Sequence, residues 1–172
     1  MIQSIPLENL NANSIDLWKN HWFLLTAGTL EKNNMMTVSW GSLGYMWNRP
    51  FAQIVVRPQR HTFNFTEEFD TFTLCAFPDD FQADLTLLGT KSGRHENKLD
   101  LCSIHYKASQ RIPAPGYEEA ELILECKKIY RQKMDPTGFL DASIQNNYAL
   151  KDYHIIYYGE IVHASGTKEF RI

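Results

Sequence analysis

The chain has 172 residues, 44% hydrophobic and 22% charged, enough for one domain with its own core and short for two. A net charge of −3 with no Lys/Arg cluster excludes a nucleic-acid partner held by counterion release. Aromatic content of 13% suits a β-protein built with large rings, and no run approaches the ~20 apolar residues of a membrane helix.

In chain order, Met1 to Leu10 lacks a basic n-region and an apolar h-region, so it does not read as a secretory signal. His21 to Gly28 is an apolar, strand-like run, Glu31 to Asn34 a polar turn, and Met35 to Trp40 a returning strand. Gly41 and Gly44 predict a tight change of direction before Tyr45 to Trp47, and Asn48-Arg49-Pro50 predicts a break. Phe51 to Arg57 is a β-branched strand ended by Pro58, and Thr62 is the expected N-cap of a short helix carrying Phe65 and Phe69. Phe72, Leu74 and Ala76 alternate with Thr73 and Cys75, the pattern of a half-buried strand. Pro78-Asp79-Asp80 opens a helix with Phe81, Leu85 and Leu88 on one face, stopped at Gly89. Lys91 to Lys98 is irregular and then helical, and Pro113 to Gly116 is a loop. Glu121 to Tyr130 is a strand, Asp135 to Gly138 a turn, and Asp141 to Tyr148 a helical excursion. Tyr153 to Ala164 is a last long strand bulged at Gly159. Many short strands and few short helices predict a mainly β fold, an antiparallel barrel with short helical insertions, as one domain over 1–172. No Gly-rich phosphate fingerprint of a dinucleotide fold or P-loop is present.

Four groups of residues carry possible chemistry. Thr37 and Ser39 share one face of a strand, with Trp40 on the other and Gly41 beyond it, a place where a flat ligand or another backbone can approach closely. The same pattern fits a strand whose hydroxyls face water. Arg57 and Arg60 flank Pro58, with the Thr62 hydroxyl at a helix start, which makes either a phosphate clamp or two solvated arginines. Thr90-Lys91-Ser92-Gly93-Arg94, with Lys98 beyond, can turn successive amides toward an anion or stay a solvated basic loop. Asp152 and His154 stand two apart before an apolar strand. His154 can then orient a substrate or carry a proton, and a purely structural hydrogen bond is the alternative. The remaining histidines (His21, His61, His95, His105 and His163) and Cys75, Cys102 and Cys126 have no zinc spacing, so no metal is expected. Three widely spaced cysteines form no disulfide framework, and a cytoplasmic location is expected.

From His21 to Val162 the chain resembles the flavin reductase-like family, in the branch that includes flavoredoxins. The resemblance rests on Trp22 to Gly28, Asn34 to Gly41, Trp47 to Pro50, Val56 to Arg60, Ser92 to Arg94 with Lys98, Glu125 to Tyr130, and Asp152 to His154 with Tyr158 to Glu160. It implies an FMN-binding split β-barrel, usually a homodimer with flavins near the subunit interface. It also implies that Thr37, Val38, Ser39, Trp40 and Gly41 lie along the isoalloxazine, with Asn34 among the cofactor-binding residues. Arg57, Arg60, Thr62, Ser92, Gly93, Arg94 and Lys98 are then expected at the phosphate and ribityl end, and His154 beside the nicotinamide-facing side. His61 stands where this branch often has Tyr, which removes the expected ring stacking there. Trp40, Tyr45 and Trp47 wall the ring or form a dimer interface. The implied reaction is hydride transfer from NADH or NADPH through FMN to flavin or another small acceptor. An electron-transfer flavoprotein with a protein redox partner, and a non-catalytic binding protein, are the alternatives.

Overall fold

The structure is a computed structural model and describes residues 2–172. In chain order the elements are β1 (Gln3–Ile5), α1 (Ser14–Asp16) running into a π-turn over Leu17–His21, β2 (Phe23–Gly28), β3 (Asn33–Val38), β4 (Gly41–Met46), β5 (Arg49–Val56), α2 (His61–Glu68), β6 (Thr71–Ala76), α3 (Gln82–Thr90), β7 (Tyr106–Lys107), β8 (Gly116–Tyr117), β9 (Leu122–Lys133) and β10 (Ile155–Gly166). Short 3-10 turns, among them Lys98–Leu101 and Ala142–Tyr148, fill several connections.

One sheet runs β3-β2-β6-β9-β10-β5-β4, every neighbouring pair antiparallel, and β7 and β8 form a separate hairpin. β10 lies along β9 for most of its length and changes partner on its other edge, from β5 over 155–160 to β1 over 164–166. Its register shifts between Tyr158 and Gly159, where the sequence predicts a bulge. The inward faces of β2, β3, β5, β6, β9 and β10 contribute Phe23, Val38, Ile54, Leu74, Leu124 and Tyr157 to one continuous apolar cluster. Strands at opposite ends of the order can share one interior only if the sheet curls around it. β3 and β4 are its unpaired ends, so the barrel is split, as expected.

A second cluster lies outside the barrel wall, where Leu24, Cys75 and Ile123 pack under Leu85 and Leu88 of α3 and Tyr117 of β8. β2 and β6 are therefore buried on both faces, and Thr73 and Cys75 are not the exposed side of a half-buried strand. The polar groups caught there are satisfied: Thr73 donates to the Pro115 carbonyl at 2.6 Å, and the Thr26 and Tyr117 hydroxyls lie 2.7 Å apart.

Several boundaries differ from the sequence expectation. Gly41 to Met46 is one uninterrupted strand, and the reversal falls on Trp47 and Asn48, both with φ near +55° (54° and 57°) in a two-residue hairpin loop. Arg60, not Thr62, caps α2, because the Thr62 hydroxyl is turned inward to donate to Asn34 Oδ1 at 2.7 Å. α3 runs through Gly89 to Thr90.

Candidate functional site

The ends of β3 and β5 and the approach to β10 meet at one rim of the barrel. Pairing of Val56 with Ile155 places Arg57 opposite His154, and β3 delivers Met36, Thr37 and Val38, followed by Ser39 and Trp40. These residues, with Val55 and Arg60, line a slot of about 190 Å³. Its back wall is held by α3, since the Thr37 hydroxyl donates to the Leu85 carbonyl.

His154 is 6% exposed, with Nδ1 2.8 Å from the Tyr148 hydroxyl and its ring 5.5 Å from that of Trp40. Burial, and then the charge of Arg57, push its pKa down to about 4, so it is a neutral imidazole at pH 7. Both terminal nitrogens of Arg57 have partners. Its Nη1 donates to Asp152 Oδ2 at 2.6 Å, its Nη2 to the Asn147 carbonyl at 2.9 Å, and its guanidinium stacks 5.1 Å over Tyr148. Asp152 therefore does not pair with His154. Hydrogen bonds from Arg57 and Gln59 hold its carboxyl below the usual range. Of the two arginines expected to form a phosphate clamp, Arg57 is paired with Asp152 and Arg60 meets no carboxylate.

Beyond Arg60 and Met36, which line both, the slot continues into a polar basin of about 180 Å³. Asn34, Gln59, His61, Thr62, Thr90, Lys91, Ser92, Gly93, Arg94 and Lys98 complete its lining, and no carboxylate is among them. Lys98 is 2% exposed, yet its ammonium meets only the carbonyls of Met35 and Leu88, the latter at 2.9 Å. Burial and the neighbouring Arg60 push its pKa down to about 8. His61 Nδ1 is buried without a hydrogen-bond partner, and burial, Arg94 and Lys98 all lower its pKa. Arg60 donates to the Gly89 carbonyl at 2.5 Å, and Arg94 to that of Gln59 at 3.3 Å. The start of α2 brings His61 and Thr62 to the basin wall.

Gly93 belongs to this basin for a steric reason: a Cβ there would lie 2.0 Å from Asn34 Nδ2. Asn34 and Thr62, hydrogen-bonded to each other, thus buttress the Ser92–Arg94 loop from behind. Gly41 is placed outside both cavities. It packs against Trp18, whose ring would be 2.4 Å from an added Cβ, and lines the neighbouring cleft on the other side of Trp40. Trp40, 47% exposed, separates the slot from a second cleft lined by Ile15, Trp18, Trp22 and Ser42. Tyr45 and Trp47 lie at the far tip of the β4–β5 hairpin, where Trp47 packs 5.9 Å from Tyr130 and 6.0 Å from Tyr158, and they do not wall the slot.

The structure thus brings together Thr37, Val38, Ser39, Trp40, Arg57 and His154 at the slot, Arg60 at the junction, and Asn34, Thr62, Ser92, Gly93, Arg94 and Lys98 at the basin. Residues that the sequence did not single out there are Met36, Val55, Gln59, His61 and Tyr148, whereas Thr90 and Lys91 open the loop that it marks. Among these, Gln59 and His61 adjoin Arg60 and carried a signal by proximity; Tyr148 carried none, since no neighbour in the chain bears on the site and its partner His154 is six residues on. The fit for a planar group with an anionic tail is direct: an apolar-walled slot joins a basin holding a buried, carboxylate-free lysine and an unpartnered imidazole nitrogen. Among the described residues no helix is long and apolar enough to cross a membrane, and no three His, Cys, Asp or Glu cluster as metal ligands.

Comparison with known proteins yields a match of residues 19–171 to the family model described as flavin reductase like domain. An FMN-binding domain of a flavin reductases-like enzyme from Shewanella baltica superposes with a TM-score of 0.70 at 17% identity, covering 100% of this chain and 85% of the other. Flavoredoxin from Methanosarcina acetivorans gives 0.68 at 20% identity, over 94% and 76% of the two chains. An NADH:FAD oxidoreductase from Streptomyces globisporus, in complex with NAD and FAD fragments, gives 0.64 at 16% identity, over 84% and 73%.

Proposed function

This chain belongs to the flavin reductase like domain family, and from that membership we propose that it is an FMN-binding oxidoreductase that passes a hydride from NADH or NADPH through FMN to free flavin or another small acceptor. The observation that carries the reading is the continuity, through Met36 and Arg60, of a planar slot with a basic, carboxylate-free basin. Arg60, Arg94 and Lys98, with Ser92 and the first turn of α2, would hold the phosphate. Thr37 to Trp40 and Val55 would lie along the isoalloxazine.

Bound FMN supplies the hydride-accepting ring. The chain's own residues bind, orient and exclude water. Lys98 is buried and Arg60 half-buried, neither has a carboxylate partner, and both make charge-assisted contacts without first breaking an ion pair. His154 is a neutral polar group on the slot, and its low pKa keeps a second positive charge from Arg57's neighbourhood. The cleft beyond Trp40, about 540 Å³ and walled by Ile15, Trp18 and Trp22, offers a small acceptor an apolar approach to the same slot.

The test is stopped-flow mixing of the FMN-loaded protein with NADH and with NADPH. Bleaching of the flavin band within seconds by one of them is expected. A flavin that binds but is reduced by neither leaves the second reading, an electron-transfer flavoprotein with a protein partner. That reading draws on the aromatic surface at Tyr45, Trp47 and Tyr130, which are 70%, 54% and 41% exposed. A homodimer through the same surface is part of the first reading. The free thiols of Cys75, Cys102 and Cys126 are the support for placing the protein in the cytoplasm.

A further inference from the structure

We infer that Tyr148 is a positioning residue that fixes His154 as its Nε2–H tautomer, so that the slot receives a neutral hydrogen-bond donor and not a base. The inference rests on the reading of the slot as the flavin ring site and adds to it the class of group His154 recognises: a carbonyl oxygen of a planar ligand, such as a pyrimidine carbonyl or a nicotinamide carboxamide.

The Tyr148 oxygen carries one proton and lies 2.8 Å from His154 Nδ1, which accepts or donates according to its tautomer, and 3.1 Å from the acceptor Met134 Sδ. A thioether is a weak acceptor and a neutral imidazole nitrogen a strong one, so the proton goes to Nδ1. A neutral imidazole carries a single proton, and with Nδ1 accepting, that proton is on Nε2. Nε2 has no protein partner among the described residues, and His154 lines the slot. The neighbours enforce the neutral form. Arg57 lies opposite in the β5–β10 register, and Asp152, the carboxylate at this point, is turned onto Arg57 and Gln59.

Tyr148 cannot easily swing its hydroxyl away. It is 4% exposed, stacked 5.8 Å from Phe139 with 11° between the rings, 4.9 Å from Tyr153, and covered by the Arg57 guanidinium at 5.1 Å. Arg57 also holds the carbonyl of Asn147, the residue before it. The ion pair of Arg57 and Asp152 thus acts on the slot indirectly, by clamping the segment that orients the histidine.

The experiment is nitrogen–proton correlation NMR of the histidine side chains at neutral pH, on flavin-free and FMN-loaded protein, with amide dispersion confirming the fold of each variant. In the wild type, His154 is expected to show a protonated Nε2 and an unprotonated Nδ1, already without flavin. Tyr148→Phe should mix the two tautomers, and Met134→Leu should leave the wild-type pattern. In the FMN-loaded protein, Tyr148→Phe should slow flavin reduction by nicotinamide about fivefold without weakening FMN. His154→Gln, which keeps an amide donor, should retain more rate than His154→Ala. A wild-type His154 protonated on Nδ1, a tautomer change in Met134→Leu, or an unchanged pattern in Tyr148→Phe would overturn the inference. Because the tautomer is read without flavin, that failure is separate from a failure to bind FMN.

Discussion

Lys98 holds its ammonium between two carbonyl oxygens with no carboxylate in reach, a costly arrangement in the free protein. Its folded pKa of about 8 lies below the ~10.4 of an unfolded lysine. Between those values the unfolded chain binds more protons, so this group makes stability rise with pH through that window. Phosphate pairs only with the charged form, so FMN affinity should fall from about pH 8 upward while riboflavin affinity stays level. Lys98→Met should weaken FMN and flatten that decline; calorimetric titrations at several pH values read both. The two arginines separate by the same logic. Arg60→Ala removes a charge without a carboxylate partner, and should weaken FMN by about 10- to 150-fold, from ~1.5–3 kcal/mol per charge-assisted contact, with riboflavin little changed. Arg57→Ala frees Asp152 and the Tyr148 segment, so it should affect FMN and riboflavin alike, in the same titrations. A phosphate-selective loss for Arg57 would return it to the clamp that the sequence suggested.

Strands were more legible than their surroundings. Alternation of Phe72, Leu74 and Ala76 correctly marks β6, but periodicity reports one buried face and is silent on what covers the other; α3 and β8 come from later in the chain, as Thr73 bonded to Pro115, 42 positions on, illustrates. Gly159 was readable as a bulge because a break in a β-branched run is a local event. Gly41 was misread as a turn because its requirement is set by Trp18, which arrives from the π-turn before β2. At the site, the Ser92–Arg94 loop and Lys98 are legible as a polar Ser-Gly turn with a lysine beyond it. The Arg57–Asp152 pair spans 95 positions and becomes visible only when β5 and β10 are in register. The hairpin tip gives an element-scale prediction. Asn48 has φ of +57°, where a β-branched side chain is strained, so Asn48→Val should destabilise the fold by about 1–2 kcal/mol and Asn48→Gly should be near neutral, measured by urea denaturation.

The whole molecule divides into a closed, doubly covered side and an open one. β2, β6 and β9 carry apolar layers on both faces, whereas β4 is an unpaired edge next to the exposed rings of Tyr45, Trp47 and Tyr130. Exposed edges and aromatic clusters of this kind favour association. Trp47→Glu should therefore shift the protein to a monomer in light scattering without changing its melting of core structure, whereas an unchanged mass would assign the patch to other use. The slot and basin lie at the rim where β3, β5 and β10 end, held on one side by the rigid wall and on the other by the 141–153 segment. Their joint use by one ligand is the claim on which everything else rests. Titration of the flavin-free chain with FMN, followed through the flavin absorption band, tests it most directly. Saturation at one FMN per chain, lost on adding excess phosphate-bearing competitor and weaker for riboflavin, is the predicted result. A chain that leaves the FMN spectrum unperturbed at every concentration would contradict the account.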